Sequence, residues 1–328
     1  MLDGKFATLG RWSDPQKEAV SKFMENTRLP SEVHRPMRHL NEVRNWKGTE
    51  YRSFLHYISV VVLKDCVNEQ AYNHFLLYFC GVTCFASTAH QRHWPLAKKL
   101  LEKFVKEFGT IYGRYHLTSN VHNLQHVYGE VLKFGQLENF SAYCFENHLQ
   151  FIKRCIKSGT KCVEQVAARV QARDSIQTAA SYSAPNYPML MVNRVGLYVT
   201  ADFTLLPEFR DQWFLTHQGS VIKFLEAKKS SLSSFILIGI QIDHKTELFE
   251  GKWADGNSQI ELSSADLFIY KIKENAPSRR VEVPCESIKC KLSAIYLPKR
   301  SLSRPPIDPP VTIALDTIAL FPLLHTLR

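Results

Sequence analysis

The chain reads as an α+β protein on three observations. Helical hydrophobic periodicity fills it up to about residue 173, and short β-prone runs fill it beyond about residue 190. Between them lies a Ser-, Ala- and Thr-rich stretch with Pro185 and Pro188. With 45% hydrophobic residues among 328, there is ample material for a buried core.

Residues 1–28 carry no clear pattern and are left as a poorly defined segment. The helical region, 29–173, is read as about six helices. Tyr51, Phe54, Leu55, Ile58 and Val62 recur at helical spacing, as do Tyr72, Phe75, Leu76, Phe79 and Val82. Leu96, Leu100, Phe104 and Phe108 form a third stripe, with Lys98, Lys99, Lys103 and Lys106 elsewhere around the same helix and Gly109 and Gly113 ending it. Val121–Phe134, Ser141–Ser158 and Cys162–Ala172 complete the set, with Asn120 as a cap for the fourth and Ser141 for the fifth. Residues 174–190 are read as a linker. Beyond it, in 191–328, Phe235–Ile242, Leu267–Ile272 and Leu292–Leu297 have strand character. Asp255-Gly256-Asn257 and Asn275-Ala276-Pro277 supply turns, so a small β-barrel or sandwich is expected. Arg300–Pro310, basic and proline-rich, is expected to be a surface loop.

The formal net charge of +10 favours phosphate-bearing or anionic partners, although a solvated basic surface accounts for it equally well. The eight cysteines are scattered, with no Cys-x-x-Cys, which argues against a zinc ribbon or a thioredoxin-like site. Met1–Gly10 lacks the apolar core of a secretory signal, and the most apolar stretches fall short of the roughly 18 residues a membrane span needs. A chain of the nucleus or cytoplasm, not secreted and not in a membrane, is therefore expected. Walker, dinucleotide-binding and G-x-S-x-G motifs are missing from the sequence.

Several residues are candidates for chemistry. On the fifth helix Phe145, Leu149, Ile152 and Ile156 make one stripe, and Glu146, Gln150, Lys153 and Lys157 line the adjoining face. A carboxylate followed by lysines suits a metal held beside phosphate; the plainer reading is an amphipathic helix with an acid near its start, where the helix dipole favours it. Lys153, Arg154, Lys157 and Lys161 are the candidate nucleic-acid contacts, non-specific and phosphate-directed. His122 and His126, four apart, share a helix face and suit zinc, but a closed site needs two further ligands; helix packing explains them as well. Glu50 is a second candidate acid, or an ordinary helix-start glutamate.

A set of short motifs occurs in fixed order: Arg35-Pro36-Met37-Arg38-His39-Leu40, Trp46-Lys47-Gly48-Thr49-Glu50-Tyr51-Arg52, Val61-Val62-Leu63-Lys64, Ser119-Asn120-Val121-His122 with His126, and Ser141-Ala142-Tyr143-Cys144-Phe145-Glu146-Asn147-His148. Over roughly residues 29–173 this order resembles the region that follows the catalytic core in transposases of CACTA (En/Spm-type) elements. The animal members of that family show R-K-P-R-S-L, W-K-A-T-E-F-R, V-V-L-K, Y-N-V-H-x-x-x-H and S-A-F-P-F-E-N-Y. The β half matches weakly, through Leu267–Lys271 and Phe321–His325. The resemblance implies a DDE-type nuclease of RNase H-like fold, its helical half being the insertion and final helix and its β half an accessory domain. It also implies Mg²⁺ or Mn²⁺ in the complete enzyme, DNA as a partner, and Glu146 at the place of the third metal-binding acid. The first two acids of that family lie upstream of the matched region, and residues 1–28 do not resemble them, so catalytic incompleteness is expected. Cys144 and His148 also depart from the family's proline and tyrosine. A nucleic-acid- or protein-binding module, self-association, and a remnant of a mobile element without function remain open alternatives.

Overall fold

A computed structural model describes residues 12–180, 186–191, 196–230, 234–298 and 316–327. The architecture is α+β: a helical N-terminal half followed by an antiparallel β half. The proline-rich segment Arg300–Pro310 lies outside the described residues.

The first described helix is α1 (Asp14–Asn26), inside the segment that sequence patterning leaves undefined. Its signal was a capping box: Ser13 Oγ accepts from Gln16 N while the Gln16 side chain accepts from Ser13 N, with a proline in the first turn. α2 (Gly48–Ser53) runs through a π-helical turn, Phe54–Ile58, into α3 (Ser59–Cys66). α4 (Glu69–Phe85) is capped by Asn68, and α5 (Trp94–Tyr112) stops at Gly113, whose φ of 96° is natural only for glycine. Gly109 lies within α5 and does not end it.

The expected helix Val121–Phe134 is broken. α6 (Ser119–His122) and α7 (Val127–Phe134) flank a 3₁₀ turn, Asn123–His126. Asn120 lies within α6, and Thr118 precedes it, so Asn120 is not a cap. α8 (Tyr143–Cys155) is shorter than expected, whereas α9 (Cys162–Ala180) runs well into the stretch read as linker. Alanine and glutamine in that stretch favour helix, and this outweighed its low-complexity look.

In the β half the strands are β1 (Met189–Leu190), β2 (Leu197–Thr200), β3 (Phe203–Leu205), β4 (Trp213–Thr216), β5 (Val221–Lys229), β6 (Phe235–Ile242), β7 (Thr246–Glu247), β8 (Glu250–Asp255), β9 (Ser258–Ser263), β10 (Tyr270–Lys273), β11 (Ser278–Pro284), β12 (Ile288–Tyr296) and β13 (Thr317–Pro322). Eight of them form one antiparallel sheet, ordered β11-β6-β5-β4-β12-β13-β10-β7, whose two edge strands are not paired with each other. It is therefore an open sheet and not a closed barrel. β1-β2-β3 form a small sheet that packs Leu197, Val199, Phe203 and Leu205 onto Phe214, Ile222, Phe224 and Leu237 of the large one. Neighbouring residues Trp213, Leu215 and Val221 point the other way, into a second cluster with Ile272, Leu292 and Leu320. Central strands apolar on both faces explain why this half reads as continuous hydrophobic runs. β8 and β9 form a separate hairpin through the turn at Asp255-Gly256-Asn257, where Gly256 has φ of 61°.

The two halves share one hydrophobic core. Phe249, Trp253, Ile260, Leu262, Ile295, Ala319 and Phe321 join the cluster built by the helices. Trp253 Nε1 donates to Asn73 O of α4 at 3.0 Å, and the Phe249 and Phe79 rings meet edge-on at 6.0 Å. A polar clamp adds to this contact. Lys291 Nζ, 0% exposed, donates to Glu32 (2.7 and 2.8 Å), Asp211 Oδ1 (2.6 Å) and Thr204 O (2.7 Å). Ser31 N also donates to Asp211 Oδ1. A buried ammonium is tolerable only with this degree of pairing. No helix among the described residues is long and apolar enough to cross a membrane.

Candidate functional site at the start of the eighth helix

The motifs Arg35–Leu40 and Trp46–Arg52 are brought together with residues 137–146, almost ninety positions later in the chain, at the start of α8. Arg38 is the first clasp. Its Nε and Nη2 donate to Glu50 Oε1 and Oε2 at 2.6 and 2.9 Å, Nη1 to Glu42 at 2.8 Å, and Nη2 also to Asn45 O at 2.7 Å. Glu50 Oε2 further accepts from Lys47 N at 2.8 Å, closing the first turn of α2. Glu50 is only 2% exposed, and the Arg38 hydrogen bond holds its carboxyl below the usual range. Both oxygens accept hydrogen bonds, so Glu50 joins the Arg38 clasp to the first turn of α2.

The second clasp joins α2 to the segment leading into α8. Arg52 pairs with Glu138 at 2.9 Å. Tyr143, the first residue of α8, lies against Gly48: a Cβ built on Gly48 would be 2.6 Å from the Tyr143 hydroxyl oxygen. Ser141 Oγ accepts from Tyr143 N at 3.3 Å, so Ser141 closes the turn before α8 without being its N-cap, a position held by Ala142.

Glu146 follows in the first turn of α8, exposed, its carboxylate making no hydrogen bond or ion pair among the described residues. The apolar stripe beside it is uncovered: Phe145 is 68% and Leu149 64% exposed, while Cys155 at the far end is buried. Lys153, Arg154, Lys157 and Lys161 are all exposed and form no ion pair among the described residues; they cluster where α8 turns into α9. Lys161 takes a φ of 50° at that turn. Arg173 of α9 lies 4.5 Å over the Phe151 ring, which ties the two helices.

His122 and His126 sit with ring centroids 5.4 Å apart, and Gln125 Nε2 approaches His122 at 3.0 Å. Among the described residues no group of three or more His, Cys, Asp or Glu side chains converges as a metal site, around this pair or around Glu146. Glu146 therefore offers one carboxylate, and the residues described do not make up the set that a two-metal centre needs.

Sequence reasoning missed the cleft behind these clasps. Between α2, the π turn, α4, α5 and residues 137–143 lies a cavity of about 850 Å³. Its walls include Phe54, Phe75, Tyr78, Phe104, Phe108 and Phe140, with His56, Arg44 and Arg52 as polar members. The aromatic content was visible in sequence, but helical periodicity reads such residues as filled core. Neither the family models, the curated proteins nor the solved structures include a match to this chain.

Proposed function

We propose that the chain is the C-terminal part of a CACTA-like DNA transposase, catalytically incomplete on its own, with Glu146 standing at the third metal-binding acid. The observation that carries this reading is the Gly48–Tyr143 contact. The related motifs have alanine at the position of Gly48 and phenylalanine at that of Tyr143. Here the larger ring substituent faces the residue that lost its methyl group. Two departures in motifs far apart in sequence thus offset each other in space, as expected if the motif order reflects shared structure and not chance. The exposed, unpaired Glu146 on an uncovered apolar helix face supports it further: such a helix suits docking against a nuclease core that supplies the other two acids and the Mg²⁺ or Mn²⁺.

A chimera tests it, with residues 29–173 replacing the corresponding region of an active CACTA-type transposase. Element excision should persist and be lost with Glu146→Gln, while Glu50→Gln should act only through stability. An inactive but folded chimera, or one indifferent to Glu146→Gln, would refute the assignment.

A second reading, a nucleic-acid-binding module without catalysis, is favoured by the exposed basic cluster Lys153, Arg154, Lys157 and Lys161, which forms no ion pair among the described residues. Both readings place DNA phosphate at the α8–α9 turn.

A further inference from the structure

The cleft behind the clasps has the features of a ligand site, independently of any transposase origin. Its volume of about 850 Å³ lies in the range typical of small-molecule pockets, and its wall is apolar and rich in Phe and Tyr side chains. The α2–α3 helix is widened at this wall into the π turn Phe54–Ile58, where Ser59 N reaches back to Phe54 O. Such turns forfeit regular helical hydrogen bonding and concentrate at functional sites. His56 lies within the turn and lines the cleft, and its Nδ1 is buried without a hydrogen-bond partner among the described residues. Burial pushes its pKa down to about 3, so at neutral pH the ring is uncharged and offers one N–H and one lone pair. A buried polar group without a partner is destabilising, and a bound partner would relieve that cost.

The mouth supplies charge. Arg52 is neutralised by Glu138, whereas Arg44 is exposed and forms no ion pair among the described residues. We infer that the cleft binds a small amphiphile: an apolar, ring-bearing body among the aromatics, hydrogen-bonded to His56, with an anionic head on Arg44. An apolar side chain from a protein partner would leave both His56 and Arg44 unused. Because Tyr143 and Ser141 form part of the wall, a ligand there would also brace the start of α8.

The probes are 8-anilinonaphthalene-1-sulfonate and its neutral analogue N-phenyl-1-naphthylamine, titrated into the full chain by fluorescence. One sulfonate probe per chain is expected. Val82→Trp, which fills the cleft from α4, should abolish binding of both probes. Arg44→Gln should weaken the sulfonate about tenfold, the loss of one charge-assisted hydrogen bond, and leave the neutral probe unchanged. A Val82→Trp chain that keeps its near-UV circular dichroism yet binds as before overturns the proposal, as do several equivalent sites or no binding at all. If Val82→Trp fails to fold, the exposed Arg44 decides: equal sulfonate affinity in Arg44→Gln rejects the anionic amphiphile and leaves an apolar protein side chain as the occupant.

Discussion

Gly48 and Tyr143 make the sharpest residue-level case. With the Tyr143 hydroxyl where a Cβ would sit, Gly48→Ala overpacks the contact and should destabilise the fold by about 1–3 kcal/mol. Tyr143→Phe removes the obstructing oxygen, so Gly48→Ala in that background should cost markedly less. Urea denaturation of the two single variants and the double variant measures the coupling, and strictly additive effects would dismiss the compensation. Three buried histidines set the pH dependence. Burial lowers His56 and His90 to about 3 and His74 to about 4, the last despite hydrogen bonds to Tyr112 Oη and Phe104 O. All three stay neutral in the folded chain and protonate near 6.5 when unfolded. Their stabilisation is complete above about pH 6.5 and falls as pH drops toward 4 for His74 and toward 3 for His56 and His90, by up to about 1.4 kcal/mol per pH unit for each histidine. Unfolding midpoints at pH 7.5, 5.5 and 4.5 should decline accordingly, and a flat profile over that window would contradict the assignment. The depressed Glu50 carboxyl acts lower still, its contribution present above its ordinary pKa and lost as pH falls through the depressed value.

At the scale of elements, α8 differs from its neighbours. α4 and α5 bury their apolar faces against each other and the β half, whereas α8 leaves Phe145 and Leu149 in solvent and carries Glu146 at one end and a basic cluster at the other. If the cluster contacts DNA, affinity should fall with salt at a log–log slope of about −0.9 per phosphate neutralised. Replacing Lys153, Arg154 and Lys157 with alanine should flatten that slope by up to about 3 and weaken all sequences alike, because phosphate contacts read no base. Filter-binding or anisotropy titrations at several salt concentrations measure it. An unchanged slope in the triple variant would remove α8 from DNA binding.

At the scale of the whole molecule, the shared core argues against independent halves. The β8–β9 hairpin and strands β12 and β13 complete the helical cluster, and the Lys291 clamp links the chain near Glu32 to the large sheet. Calorimetry of the full chain should show one cooperative transition, and residues 12–180 alone, stripped of Phe249, Trp253 and Phe321, should lack one. Two well-separated transitions would restore the picture of two units joined by a linker.

The amino-acid sequence by itself determined the α+β class, the approximate span of the helices and several strands, and the motif order that suggests a transposase origin. All of these rest on local information: periodicity, turn residues and short-range spacing. The Asp255-Gly256-Asn257 turn and the α5 stop at Gly113 are legible for that reason, and the α1 capping box rests on equally local information. Which candidate acid is free was decided only by tertiary structure. Glu50 and Glu146 look alike in sequence, yet Arg38, twelve residues from Glu50, closes on one and nothing described closes on the other. The aromatic cleft, the Gly48–Tyr143 contact and the common core likewise arise from side chains distant along the chain, whose meeting depends on how helices and strands pack and not on any pattern within one segment.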